Sequence, residues 1–340
     1  MPRPIANPPN PWQSHHVEWL GEPPDTQIEV YEEEARSILS ENKSPDVPFR
    51  WGVNPYRGCF HGCTYCYART SHEYLGYGAG TDFERKLVVK SNAPDLLRQA
   101  FARRSWKREL VSLSGITDCY QPLEANYELT KGCLEACLDF SNPVSILTKA
   151  ALVQRDAALL SKVAERSSAR VHLSIPFATS EGARAIEPYV PTPAKRFETL
   201  RVLSEAGVHV GIAIAPVIPG LNDQDVPELL ERAKEAGAKS AFMILLRLPG
   251  AVRSVFFERL KEAYPDRWKK VENGLRDARG GRDSDARFGS RMSGSSARWK
   301  IVEQMFETTC RRLGIEHGER IATIGEERKA APAQQTLFDL

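Results

Sequence analysis

Between Trp51 and Gly250 the chain repeats one pattern: a short continuous apolar run, then a segment with apolar residues every three or four positions. The runs are WGVNPY, LVSLSG, VSILTKA, VHLSIPF, VHVGIAIAPVIPG and SAFMILLRLPG. Between them lie APDLLRQAFARRSW, ELTKGCLEACLDF, AALLSKVAERS, KRFETLRVLSEAG and VPELLERAKEAG, the last two closed by the helix-stopping Gly207 and Gly237. A strand with one wet face alternates apolar and polar residues, whereas a continuous run is covered on both faces, as in a parallel sheet flanked by helices. Six such runs in strict alternation with helices constrain the chain to an α/β fold. We expect a partial (β/α)6 TIM-type barrel with an irregular N-terminal extension and a helical C-terminal extension. In folds of this kind the polar residues that do chemistry gather at the C-terminal ends of the strands.

Around that core, residues 1–50 read as the N-terminal extension, with one short helix over YEEEARSILS. Residues 51–250 are the core, 251–325 the helical extension and 326–340 a disordered tail. The extension is expected to hold two helices, FFERLKEAYPDRWKKVENGL and ARWKIVEQMFETTCRRLG, joined by a flexible Arg/Gly/Ser/Asp-rich loop. At 340 residues and 41% hydrophobic content the chain can bury a sizeable core. Its 46 Lys and Arg against 44 Asp and Glu leave +2, so bulk charge argues neither for nor against nucleic acid. The start, MPRPIANPPNPWQSHH, has no apolar stretch, and no run is long enough to span a membrane. An odd number of cysteines, seven, speaks for metal binding or reactive thiols in a reduced, cytoplasmic setting.

Three of those cysteines, Cys59, Cys63 and Cys66, crowd into NPYRGCFHGCTYCYART, just after the first apolar run. Thiolates are soft ligands that select iron–sulfur clusters, zinc or Cu(I). Zinc would need a fourth ligand, for which His61 or His72 is at hand. Structural zinc sites, however, pair two short ligand knuckles from separate segments, and this chain has one. Iron–sulfur ligation is therefore the leading expectation.

A C-x3-C-x2-C motif with an aromatic before its last cysteine, after the first strand of an α/β repeat, resembles the radical S-adenosylmethionine (SAM) superfamily. The further runs SPDVPF, TDCYQPLE and ILTKA resemble its spore photoproduct lyase-like, or DNA repair photolyase-like, branch over roughly residues 40–250. The resemblance implies a 4Fe–4S cluster held on three irons by Cys59, Cys63 and Cys66, with SAM chelating the fourth. Reductive cleavage of SAM would then yield a 5′-deoxyadenosyl radical, with an electron donor such as flavodoxin or ferredoxin as partner. It also implies that Tyr65 and Tyr67 lie on the adenine side, and that Thr117, Asp118, Lys149 and Ser174 at strand ends contact SAM. A lysine facing the SAM carboxylate is chemically apt.

Ile116 stands where that branch carries a hydrogen-donating cysteine, which leaves Cys119, across Asp118, as the candidate donor. Cys133 and Cys137, spaced four apart with Leu129 on one helix face, read as core, as does Cys310. A basic patch at Arg98, Arg103, Arg104, Lys107 and Arg108 and a second at Arg276, Arg279, Arg282, Arg287 and Arg291 are candidate phosphate contacts. Tyr120 and Tyr127 are candidates for stacking on a base. In the tail, Gln334, Leu337 and Phe338 resemble the bacterial sliding-clamp-binding pentapeptide, with Gln335 where leucine is usual. The expected function is a radical SAM enzyme that abstracts hydrogen from damaged or modified DNA bases. Two other readings stay open: the same chemistry on RNA, a peptide or a small metabolite, and a zinc-stabilised nucleic-acid-binding module without turnover.

Overall fold

The apolar runs lie side by side in a computed structural model, which describes residues 28–282 and 285–317. Its strands are β1 (Glu29–Glu33), β2 (Leu39–Glu41), β3 (Trp51–Val53), β4 (Tyr56–Arg57), β5 (Lys86–Lys90) and β6 (Val111–Leu113). They continue with β7 (Val144–Thr148), β8 (Ala169–Ser174), β9 (His209–Val217), β10 (Ser240–Leu245) and β11 (Glu316–His317). The main sheet has the order β11-β10-β9-β8-β7-β6-β3-β2. Every neighbouring pair from β3 to β11 is parallel, and β2 closes one edge antiparallel to β3. Because the parallel strands follow one another in chain order, each crossover helix links neighbours. Helices Leu129–Asp139, Ala157–Arg166, Pro193–Glu205 and Val226–Glu235 do this in turn.

The continuous apolar runs behave as two-sided burial requires. Val111, Leu113, Val144, Ile146, Val171, Leu173, Val210, Ile212 and Ile214 are all at most 1% exposed. One core runs from Ile38 through these strands to Trp299, Phe306 and Ile315, so the C-terminal helices pack onto the sheet.

Four local expectations are corrected. YEEEARSILS is not a helix: its first residues form β1, which pairs in parallel with β5, and its end forms β2. Glutamates favour a helix only weakly, and a free edge of backbone donors and acceptors on β5 overrides them. WGVNPY is two strands, because at Asn54-Pro55 the chain leaves the main sheet and enters a three-stranded one of order β1-β5-β4. FFERLKEAYPDRWKKVENGL is two helices, Val252–Ala263 and Trp268–Ala278. Pro265, which lacks an N–H and clashes with the preceding turn, breaks it. The arginine-rich loop is tied down where it is described: Gly289 N donates to Asp46 Oδ1 at 2.6 Å, Arg291 pairs with Asp46, and Leu245 N donates to Met292 O.

The sheet switch has a consequence for the site. Asn54, 6% exposed, turns its Oδ1 to accept from Gly115 N (2.8 Å) and Ile116 N (2.9 Å), locking the loop after β6 beside the link between β3 and β4. At the next strand ends, Asn222 accepts from Ile218 N and donates to Pro176 O and Pro216 O, binding the β8 and β9 exits together. Asn54→Ala would strand two amide donors, so we expect a loss of about 1–3 kcal/mol in folding stability, read as a lower urea midpoint with unchanged slope. An unchanged midpoint would show that water satisfies those amides and that Asn54 does not hold the loop.

Candidate functional site

Glycine sets the shape of the cysteine loop. Gly58 and Gly62 have φ of +73° and +65°, and a Cβ on Gly58 would come within 2.9 Å of both His72 Cε1 and Leu87 Cδ2. Left-handed backbone and the lack of room restrict these positions to glycine. Turn hydrogen bonds from Gly62 N to Cys59 O and from Cys66 N to Cys63 O curl the segment into a compact coil.

A single side chain fills the inside of that coil. Arg69 is fully buried and uses all five of its N–H groups. Nε donates to Cys63 O (2.9 Å), Nη1 to Ala79 O (3.0 Å) and Gly80 O (2.9 Å), and Nη2 to Gly62 O (2.9 Å) and Glu84 Oε1. From the other side Thr117 Oγ1 donates to Gly58 O (2.6 Å). Gln121 spans the same gap, donating to Gly58 O and accepting from Phe60 N at 2.9 Å.

The three thiols therefore sit in a pocket whose walls are fixed. Cys59 and Cys63 are each 6% exposed and Cys66 is partly buried. Cys59 and Cys66 pack with Ala68, Phe83 and Ile116, while Cys63 and Tyr65 join the main core. Burial pushes the Cys63 thiol well above its usual value, with Lys149 pulling the other way. Burial likewise raises Cys66, with Arg69 opposing it. For Cys59, burial is outweighed by the His61 charge and a hydrogen bond from it, so its thiol lies below the usual value.

Asp118 organises the cationic side. Its Oδ1 accepts from Thr148 Oγ1 (2.6 Å) and Tyr120 N (3.0 Å), and its Oδ2 from Lys149 N (2.8 Å). His61 Nδ1 lies 3.3 Å from Oδ2, an ion-pair contact without hydrogen-bond alignment. Burial alone would neutralise both partners. Instead Cys59 and Asp118 together raise His61 to about 10, and His61 with the Lys149 amide and the Thr148 hydroxyl lowers Asp118 to about 2. Lys149 projects its Nζ to 5.6 Å from the Tyr65 ring centroid, and although burial opposes its charge, Cys63 and Glu187 hold it protonated.

The structure sorts the residues singled out from the sequence. Thr117, Asp118 and Lys149 do converge on the cysteine loop. The Tyr65 hydroxyl donates to Glu187, which pairs with Arg196, both of these 0% exposed. Tyr67 is 51% exposed, with its hydroxyl on Gly115 O. Ser174 is buried and donates to Ala215 O (3.1 Å), so its hydroxyl ties β8 to β9. Cys119 is 0% exposed in the main core, and a packed core thiol has no surface to offer a substrate; Ile116 borders the cysteines instead. Tyr120 is 1% exposed and donates to Asp156, so it presents no stacking face, and the Tyr127 hydroxyl donates to Glu32. The Arg98 patch lies at the end of the helix Ala93–Phe101 that leads into the N-terminal end of β6, opposite the site. Arg69, Glu84, Gln121, Glu187 and Arg196 carried no local signal, since a buried arginine looks like a surface one until its acceptors are known.

The donor set fits a thiolate-bound cluster. Two buried thiols and the partly buried Cys66 are ringed by His61, Lys149 and Arg69, the positive surroundings that thiolates need. A cleft of about 340 Å³ opens beside the loop, lined by Phe60, His61, Tyr120, Ala150, Arg184 and Tyr189 among others.

Comparison with known proteins agrees with this chemistry. The model of the radical SAM superfamily matches residues 53–233. An uncharacterized protein of Mycobacterium tuberculosis is 39% identical over 230 residues, covering 66% of this chain and 68% of its own. An uncharacterized protein of Methanocaldococcus jannaschii is 33% identical, covering 58% and 71%. Among solved structures, spore photoproduct lyase complexed with dinucleoside spore photoproduct shares the fold with a TM-score of 0.62 at 15% identity, covering 88% of this chain and 87% of its own. A variant of that lyase with bound AdoMet and the same dinucleoside superposes with a TM-score of 0.59 at 16% identity, covering 88% and 87%.

Arg69→Lys keeps the charge but offers three donors from one point in place of a five-donor fork. Carbonyls of Gly62, Cys63, Ala79 and Gly80 would lose partners inside the protein. We expect about 3–5 kcal/mol of lost stability by chemical denaturation, together with poor retention of iron after anaerobic reconstitution. Wild-type stability and iron content in this variant would contradict the role given to Arg69.

Proposed function

The chain belongs to the radical SAM superfamily, and on that premise we propose that it abstracts hydrogen from damaged or modified DNA bases. The observation that carries the radical SAM chemistry is the Arg69-braced loop, which presents three thiols among cations at the C-terminal ends of parallel strands. Support for DNA comes from the fold shared with a lyase solved with a dinucleoside photoproduct, and from the tail motif. We read the sequential strand order as a partial (β/α)6 barrel with the site at its mouth.

In this reading Cys59, Cys63 and Cys66 would hold a 4Fe–4S cluster and leave one iron for SAM. When bound, the pair supplies an electron to the sulfonium and so a carbon radical able to take a hydrogen atom. Lys149 is placed to face the SAM carboxylate, and Tyr65 and Tyr67 flank the cluster loop on the side proposed for adenine. Asp118 is a positioning residue: its two oxygens are taken by Thr148, Lys149 and Tyr120, so it aims Lys149 through the backbone. Thr117 acts in the same way through Gly58, and Ser174 through Ala215. No helix among the described residues is long and apolar enough to cross a membrane.

The test is isotopic. With reductant, SAM and irradiated DNA carrying deuterated bases, 5′-deoxyadenosine should acquire deuterium only when the DNA is present. Turnover to unlabelled 5′-deoxyadenosine with every modified DNA offered would contradict DNA as the substrate.

Gln334, Leu337 and Phe338 lie outside the described residues, and clamp binding is proposed on sequence alone. Immobilised sliding clamp should retain the full chain and release the Leu337→Ala/Phe338→Ala variant. Equal retention of both would remove the clamp from the account.

A further inference from the structure

Arginines accumulate where the C-terminal end of β10 meets the loop after the helix Trp268–Ala278. Arg247 follows β10, makes no ion pair among the described residues, and has a buried Nε without a hydrogen-bond partner. Arg279 is 9% exposed; its Nη2 donates to Leu246 O (2.6 Å) and Arg291 O (3.4 Å), while Nη1 is buried and unpartnered. Arg291 binds Asp46 and donates to Ser44 Oγ (2.6 Å). The charges feel one another: burial and the Arg291 charge act against protonation of Arg247, with Tyr67 and Asp46 opposing, and burial and the Arg247 charge act against Arg279, with Asp285 opposing. Among the described residues, Asp46 and Asp285 are nearby carboxylates, and Arg291 and Arg287 already engage them. Among the described residues, Arg247 and Arg279 are thus left without an ion pair of their own, each with one stranded donor.

Buried guanidinium donors without partners are costly, and an arrangement that leaves two of them side by side is built to receive an anion. Two exposed aromatics frame the cluster. Phe288, 59% exposed, carries the Arg291 guanidinium 4.4 Å from its ring centroid. Tyr67, 51% exposed, lies within the electrostatic reach of Arg247 and Arg291 and directly follows Cys66. Carboxylate or free phosphate would use the cations but not the aromatic faces. A nucleic-acid strand uses both, with backbone phosphates on arginine and bases on open rings.

We propose that Arg247 and Arg279, with Phe288 beside them, form a phosphodiester-binding subsite that leads a substrate strand past Tyr67 to the cysteine loop. This rests on the reading of the substrate as DNA, and it names the surface that would hold the strand.

Fluorescence anisotropy of a short labelled single-stranded oligodeoxynucleotide on the reconstituted full chain tests it. Arg247→Gln should weaken binding about tenfold and lower the slope of log affinity against log salt by about one. Arg247→Lys should keep the salt slope. Phe288→Ala should weaken binding and leave the slope unchanged. Because Arg279 also supports Leu246, Arg279→Gln is read only alongside its denaturation midpoint. The absorbance near 400 nm and 5′-deoxyadenosine formation without substrate should be unaffected in the Arg247 and Phe288 variants. Wild-type affinity and slope in both Arg247→Gln and Phe288→Ala would overturn the subsite. Equal binding of the matching RNA would uphold the subsite and move the substrate away from DNA. Loss of the cluster with oligonucleotide binding intact would sink the radical reading and leave this one standing.

Discussion

The buried guanidinium of Arg69 is the contact on which the rest of the site depends. A loop that turns three thiols inward must turn its own carbonyls inward as well, and buried carbonyls need donors. One planar fork supplies them from the centre of the coil, and Glu84 balances its charge. Without that fork the carbonyls of Gly62 and Cys63 would seek water, and the thiols would turn outward with them. A charge buried at this depth is tolerated because every hydrogen it carries has an acceptor.

A second layer carries that rigidity to the neighbouring strands. Asn54 and Thr117 clamp the exit of β6 to the cysteine loop, and Asp118 clamps the exit of β6 to that of β7. Lys149 is thereby delivered beside Cys63 and Tyr65 from a different strand. The Glu187–Arg196 pair anchors the far side, with Arg196 also donating to Ser174 O (2.7 Å). Positive charge thus arrives from two separate segments, His61 and Arg69 from the cysteine loop and Lys149 from the end of β7. Burial raises the Cys63 and Cys66 thiols, and Lys149 and Arg69 act against that rise.

Much of this was legible in the sequence, for physical reasons that can be traced to particular residues. Continuous apolar runs such as VHVGIAIAPVIPG announce two-sided burial, and β9 has it. The spacing of Cys59, Cys63 and Cys66 announces soft-metal ligation because few other demands place three thiols so close. Arg69 was illegible, since YCYART gives no hint that its acceptors lie at Gly62, Ala79 and Gly80. Glu29–Glu33 misled because a charged edge strand is stabilised through its backbone, which composition does not record. Cys119 misled for the opposite reason: its position near a strand end resembled a reactive thiol, yet the fold turns it into the core.

The central claim is that three cysteines leave one iron of a cluster free for SAM. Mössbauer spectra of the reconstituted protein, enriched in iron-57, address it directly. The account predicts that adding SAM shifts one iron subsite of the four and leaves the other three in place, and that Cys63→Ala abolishes the effect along with the intact cluster. Spectra that do not change with SAM, or iron bound at single-ion sites, would contradict it.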